Sequence, residues 1–115
     1  MDSDEILGVD SEEALDEVLR LPQALLYKHS TRCGTSVRAM LEVERFARGE
    51  AGVPVFGIDV IRQRGISDLA AQRLGIGHAS PQVILVRDGH ATWHASHFRV
   101  TAAALSAATA EQVSD

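Results

Sequence analysis

The chain has 115 residues and a formal net charge of −5, with 45% apolar and 23% charged residues. This is the composition of one compact globular domain, which we expect to extend over residues 1–115. The acidic balance argues against nucleic acid as a partner, because phosphate groups are bound through clustered lysine and arginine side chains.

No apolar run approaches the roughly 18 residues of a membrane span, so no membrane partner is expected. The N-terminal residues 1–5 are acidic and lack the basic start of a secretory signal, which favours a cytoplasmic protein. Cys33 is the single cysteine of the chain. In a reducing compartment we therefore expect no structural disulfide.

The first predicted element in chain order is a helix within VDSEEALDEVLRLP, residues 9–22. Asp10 and Glu13 have the spacing of a capping box, and Pro22 ends the apolar stripe. The apolar run ALLYKHS, residues 24–30, predicts a buried strand.

A second helix is predicted from about Cys33 to Arg48, followed by a buried strand in VPVFGIDV, residues 53–60. Ser67 then predicts the N-cap of a short helix that Gly75 closes.

A hairpin is predicted around Asp88-Gly89, between the strands QVILVR and HATWHAS. Thr101 is expected to cap a final alanine-rich helix. The order is α-βαβ-α-ββ-α, and its βαβ unit requires two parallel strands joined by a right-handed crossover. The sequence therefore predicts an α/β, thioredoxin-like fold with a four-stranded mixed sheet, helices on both faces and an extra N-terminal helix.

Cys33 stands at the predicted start of a helix, where unpaired N–H groups and a partial positive charge favour an anion. Only the thiolate is nucleophilic, so this position predicts a reactive thiol with a lowered pKa. Ser36 follows three residues later, and its hydroxyl is a candidate donor to the thiolate. The segment CGTS has the spacing of a C-x-x-C redox motif in which oxygen replaces the second sulfur. A small buried cysteine without chemistry is the alternative.

The segment HASPQVIL, residues 78–85, places a proline just before a strand. Thioredoxin-like proteins have a cis-proline at this position. We therefore predict a cis bond between Ser80 and Pro81, with Pro81 packed against Cys33. The backbone of Ser80 would then lie beside an extended substrate.

Three motifs together, KHSTRC at 28–33, HASPQ at 78–82 and WHASH at 93–97, resemble the monothiol bacilliredoxin family. The resemblance extends from about Ile6 to Ala108. It implies a thioredoxin fold and the removal of bacillithiol from S-bacillithiolated proteins, with bacillithiol as thiol co-substrate and no bound cofactor. Cys33 would attack the mixed disulfide and take the bacillithiol, and a second bacillithiol would release it.

The same resemblance assigns the thiol-binding residues. The malyl carboxylates of bacillithiol suit Lys28, Arg32 and His97. Gly34 stands where the family usually has proline, which loosens the first helical turn. The full set of candidates that stabilise the thiolate or bind the thiol is Lys28, Thr31, Arg32, Gly34, Ser36, Ser80, Pro81 and His97.

Two other functions stay open. CGTS is similar to the CGFS motif of monothiol glutaredoxins, which use glutathione and can share an iron–sulfur cluster. A non-enzymatic thiol sensor or adaptor is the second alternative. His90, His94 and His97 together with Cys33 suggest zinc, but His94 and His97 would point to opposite faces of a strand, so no metal site is expected.

Overall fold

The computed structural model describes residues 6–30, 34–49 and 51–110. The strands in these residues are β1 (Ile6–Gly8), β2 (Gln23–His29), β3 (Val55–Asp59), β4 (Gln82–Arg87) and β5 (His90–Ser96). The helices are α1 (Glu12–Leu19), α2 (Gly34–Ala47), α3 (Arg64–Leu74) and α4 (Ala102–Ala110), and a 3-10 turn spans His97–Arg99.

The strands form one mixed sheet in the order β1-β3-β2-β4-β5. β3 is parallel to β1 and to β2, whereas β4 is antiparallel to both β2 and β5. The predicted mixed sheet flanked by helices is confirmed. The predicted number of four strands is wrong, because β1 adds a fifth. β1 has three residues, which is too short for a periodic pattern in the sequence, and it forms by pairing with β3.

The central strand β2 is buried on both faces and separates two apolar cores. Leu25 and Tyr27 belong to the core that contains residues of α2 and α4. Ala24 and Leu26 belong to the core that contains residues of α1 and α3. Because successive side chains of a strand alternate, the last two residues of β2 also lie on opposite faces of the sheet.

Two predicted helix starts differ from the structure. The N-cap of α1 is Ser11, whose Oγ accepts a hydrogen bond from the N–H of Ala14 at 3.0 Å, and not Asp10. Helix α3 begins at Arg64, so Ser67 lies within it, buried, and does not cap it. The end of α3 is as predicted, since Gly75 adopts the left-handed conformation with φ 69°.

The hairpin and the last helix are as predicted. Asp88 and Gly89 have φ values of 52° and 81°, the positive values that a tight turn between two antiparallel strands favours. Thr101 caps α4 by accepting from the N–H of Ala104 at 3.1 Å. Glu42 of α2 accepts from the N–H of Ala102 at 2.8 Å and so joins the two helices. None of the helices in the described ranges is long and apolar enough to cross a membrane.

Candidate active site

The candidate residues converge on one edge of the sheet. β2 and β3 are parallel and end there, while the antiparallel strand β4 begins there and β5 ends there. Cys33 follows β2 and directly precedes Gly34, the first residue of α2. Thr31, Arg32 and Cys33 lie outside the described residues, so their predicted roles stay predictions.

Ser36 is held in the first turn of α2, where it is buried. Its Oγ accepts a hydrogen bond from the N–H of Ser30 at 3.2 Å. Its carbonyl oxygen accepts from the hydroxyl of Tyr27 at 3.2 Å. Both contacts join the start of α2 to the end of β2, on either side of the segment that carries Cys33. The proton of the Ser36 hydroxyl is not used in the contact with Ser30, so this group keeps a donor for a neighbouring anion.

Gly34 is exposed at the first position of α2. A Cβ atom placed on it would meet no heavy atom within 4 Å. The position therefore has room for a Cβ atom among the described residues. Glycine at this position is not required by close packing.

The bond between Ser80 and Pro81 is cis, which confirms the prediction. Pro81 is buried, and its carbonyl oxygen accepts from the N–H of His97 at 2.9 Å. The side-chain amide of Gln82 donates to the carbonyl of Gly77 at 3.0 Å. These two hydrogen bonds hold the segment before β4 at the same edge as the start of α2.

His97 is exposed beside Pro81, and its backbone is left-handed with φ 57°. Its Nδ1 lies 3.2 Å from the Oγ of Ser96. Next to it, Phe98 is exposed, and the guanidinium carbon of Arg38 lies 5.8 Å from the centre of its ring. The structure therefore brings His97 to the candidate site, as a solvent-facing residue on the β5 side.

Lys28 differs from the prediction. Its side chain is fully buried, and its Nζ donates to the carbonyl of Ser67 at 3.0 Å. Burial lowers the pKa of the Lys28 ammonium, and the nearby carboxylate of Asp68 opposes this change. The predicted direct contact between this ammonium and a bound thiol is therefore wrong, because the charged group lies inside the protein against α3.

The comparisons with known proteins agree with this geometry. The sequence model of the family described as "Monothiol bacilliredoxin BrxC" matches residues 8–105. The chain belongs to the monothiol bacilliredoxin family. It is accordingly a monothiol redox protein, as the presence of Ser36 in place of a second cysteine indicates.

The solved structures that this bacilliredoxin-family chain resembles share its thioredoxin fold. A protein described as a candidate oxidoreductase with a thioredoxin fold has a TM-score of 0.84 and 23% identity, covering 90% of this chain and 93% of the other. A mutant thioredoxin from Halobacterium salinarum has a TM-score of 0.78 and 23% identity over 96% of each chain. Oxidised mitochondrial thioredoxin 3 from Saccharomyces cerevisiae has a TM-score of 0.76 and 14% identity, covering 93% and 95%.

His29 lies under the first turn of this bacilliredoxin-family protein's helix α2. Its side chain is 2% exposed, and its ring stacks on Tyr27 with 5.5 Å between the ring centres. Its Nε2 is buried without a hydrogen-bond partner in the described part of the chain. Burial lowers the pKa of His29, and Asp59 of the neighbouring strand opposes this shift. His29 is thus a buried imidazole whose lowered pKa favours the neutral form.

Tyr27 was not predicted as a site residue, although its hydroxyl donates to Ser36. Burial raises the pKa of that hydroxyl, which therefore stays protonated and keeps its donor. An aromatic residue in a buried strand is typical of a core, and only its hydroxyl signals a second role. Over residues 6–30, 34–49 and 51–110, no group of three or more His, Cys, Asp or Glu side chains is placed to hold a metal ion.

Proposed function

We propose that this protein is a thiol–disulfide oxidoreductase that removes bacillithiol from S-bacillithiolated proteins in the cytoplasm. The family match over residues 8–105 carries this proposal. Ser36 supports it as well, because a serine cannot displace a mixed disulfide from Cys33. An external low-molecular-weight thiol must therefore complete each cycle, and bacillithiol is that co-substrate.

The proposed cycle has two exchange steps. In the first, the Cys33 thiolate attacks the bacillithiol sulfur of the mixed disulfide. A sulfur–sulfur bond forms on Cys33, and the substrate protein leaves as a thiolate that takes a proton from solvent. In the second, a bacillithiol thiolate attacks the bacillithiol sulfur held on Cys33. The symmetric bacillithiol disulfide leaves, and the Cys33 thiolate is restored. Each cycle consumes one free bacillithiol, breaks the disulfide bond of the substrate protein and forms one bacillithiol disulfide bond.

The described residues suit this cycle in three ways. The hydroxyl of Ser36 accepts in its contact with Ser30, so its own proton makes it a candidate donor to the thiolate at the start of α2. The hydrogen bonds of Pro81 and Gln82 hold the segment that contains Ser80 at the site, where its backbone would meet an extended substrate segment. His97 is exposed at the same edge, and we propose that it and Arg32 contact the bound thiol, with Thr31 lining the loop.

The central experiment mixes a bacillithiolated substrate protein with this protein and excess bacillithiol. Mass spectrometry is expected to find one bacillithiol on Cys33, followed by its loss and by multiple turnovers. Cys33→Ser removes the sulfur nucleophile and should abolish the transfer. If Cys33→Ser still removes bacillithiol from the substrate, the proposed nucleophile is wrong.

A cysteine at position 36 tests the monothiol cycle. Ser36→Cys creates a C-x-x-C site. The introduced thiol should displace bacillithiol from Cys33 as a free thiol and leave an internal disulfide on the protein, without added thiol. Ser106→Cys is the matched control, since it adds a thiol on the exposed side of α4, away from the start of α2. Equal release of bacillithiol by both variants would show that the release does not depend on a thiol at position 36. A cap that stays on Cys33 in excess thiol would favour a passive sensor, and a brown protein with iron and acid-labile sulfide would favour cluster binding.

A further inference from the structure

A polar cavity opens at the same sheet edge on the opposite face, beside α3. Its volume is about 340 Å³, and its lining consists of Val60, Ile61, Arg64, Ser67, Asp68 and His78. The N–H of Val60 donates to the carbonyl of His29 at 2.9 Å, so one wall is attached to the end of β2. His78 precedes the cis bond at Pro81 by three residues. The cavity therefore adjoins the end of β2 and the segment that precedes the cis bond.

The charges around this cavity favour an anion. Arg64 is exposed on its wall, and the ammonium of Lys28 lies behind Ser67, to whose carbonyl it donates at 3.0 Å. The lining contains one carboxylate, that of Asp68. The lining itself thus holds one cation and one carboxylate, and Lys28 adds a second, buried cation behind the wall, in a chain whose formal net charge is −5. Arg64 on the wall and Lys28 behind it offer positive potential to an anion in this cavity, whereas the net charge of the chain repels anions elsewhere.

The pKa of His78 responds to the same charges. Its Nδ1 lies 3.4 Å from the Oγ of Ser67. Burial lowers the pKa of His78, the charge of Lys28 lowers it further and Arg64 acts in the same direction, while Asp68 opposes them. The imidazole is therefore held neutral, which leaves it able to donate to or accept from a ligand without adding charge.

We propose that this cavity binds the carboxylate-bearing end of the low-molecular-weight thiol, with Arg64 as the principal contact, while its sulfur reaches Cys33. This inference rests on the proposed function and names the subsite that selects the thiol. A guanidinium pairs with a carboxylate through two parallel hydrogen bonds. The volume is at the lower end of small-molecule sites, roughly 300–1,000 Å³, which suits part of a small thiol.

The first test uses succinate, a dicarboxylate without sulfur, and follows the ring signals of His78 by NMR through a pH titration. Succinate is expected to raise the pKa of His78 in a saturable way, because a bound anion stabilises the protonated ring. Arg64→Gln should remove that effect. Arg62→Gln, which loses the same charge two residues away, should retain it, since Arg62 is not among the residues that line the cavity.

Sodium chloride at matched ionic strength is the control for screening. The cavity assignment would be overturned if succinate left the pKa of His78 unchanged, or if chloride raised it equally. It would also be overturned if Arg64→Gln and Arg62→Gln weakened the succinate effect equally.

The second test measures how thiols clear a cap from Cys33. Mercaptosuccinate carries carboxylates, and 2-mercaptoethanol carries none. Arg64→Gln is expected to raise the KM for mercaptosuccinate about tenfold, the effect of one charge-assisted contact, and to change that for 2-mercaptoethanol less than twofold. Equal effects on both thiols would overturn the inference. If no thiol clears the cap from the wild type, the proposed cycle is wrong, while the succinate titration still decides the cavity.

Discussion

The buried imidazole of His29 predicts an unusual sensitivity of this fold to mild acid. His29 is 2% exposed, and burial lowers its pKa below the ordinary 6.5. The unfolded chain therefore binds a proton at higher pH than the folded chain does, so stability is lost as the pH falls below about 6.5. If the folded protein keeps His29 neutral, the loss between pH 7.5 and 5.5 amounts to at most about 1.4 kcal/mol.

His29→Phe should remove this loss and stabilise the protein at neutral pH. Phenylalanine keeps an aromatic ring for stacking on Tyr27 and removes the buried Nε2, which has no partner among the described residues. An unsatisfied buried polar group costs about 1–3 kcal/mol, so we expect a gain of about 1 kcal/mol at pH 7.5. The difference from the wild type should increase to about 2 kcal/mol at pH 5.5.

The assay is urea unfolding of both proteins at pH 5.5, 6.5 and 7.5, followed by circular dichroism. His78 also has a lowered pKa through burial, but it is present in both proteins and cancels from the difference. His90→Gln, at an exposed position of the hairpin, is the matched control and should leave the pH dependence unchanged. A destabilised His29→Phe variant at pH 7.5, or one with the pH slope of the wild type, would refute the reasoning.

Three further predictions concern neighbouring positions. The alkylation rate of Cys33 should have its pH midpoint below about 8, and a midpoint at the value of free cysteine, about 8.5, would contradict a stabilised thiolate. Gly34→Pro should raise the free energy of unfolding, measured in urea, by about 0.4–1 kcal/mol, because an added Cβ meets no described atom and proline suits a first helical position. A loss of stability would show that the backbone there does not accept proline. Lys28→Ala should lower the free energy of unfolding by about 3 kcal/mol through the cavity and the unpaired carbonyl of Ser67, and Lys28→Met should recover more than half of it. Because burial lowers the pKa of Lys28, the free energy of unfolding of the wild type should also increase as the pH rises towards 10.5. Urea unfolding at several pH values should show no such increase in either variant.

Local features of the sequence were sufficient for much of the fold. The apolar run that forms β2, the helical period of α2 and the Asp88-Gly89 turn each depend on neighbouring residues alone. The same holds for the cap at Thr101, whose side chain bonds a backbone N–H three residues away. The cis bond at Pro81 was predicted from its position before a strand in a thioredoxin-like order of elements, and the structure has it.

Tertiary structure decided the features that depend on partners distant in the chain. β1 exists because Ile6 and its neighbours pair with β3, a contact that three residues cannot signal by themselves. Ser67 has the chemistry of a cap, yet α3 begins earlier and buries it. Lys28 stands near Cys33 in sequence, but the alternation of β2 turns its ammonium towards α3 and away from the face of α2. Sequence spacing determines which residues are neighbours along a strand or helix, whereas the packing of helices on the two faces determines which of them solvent and ligands can reach.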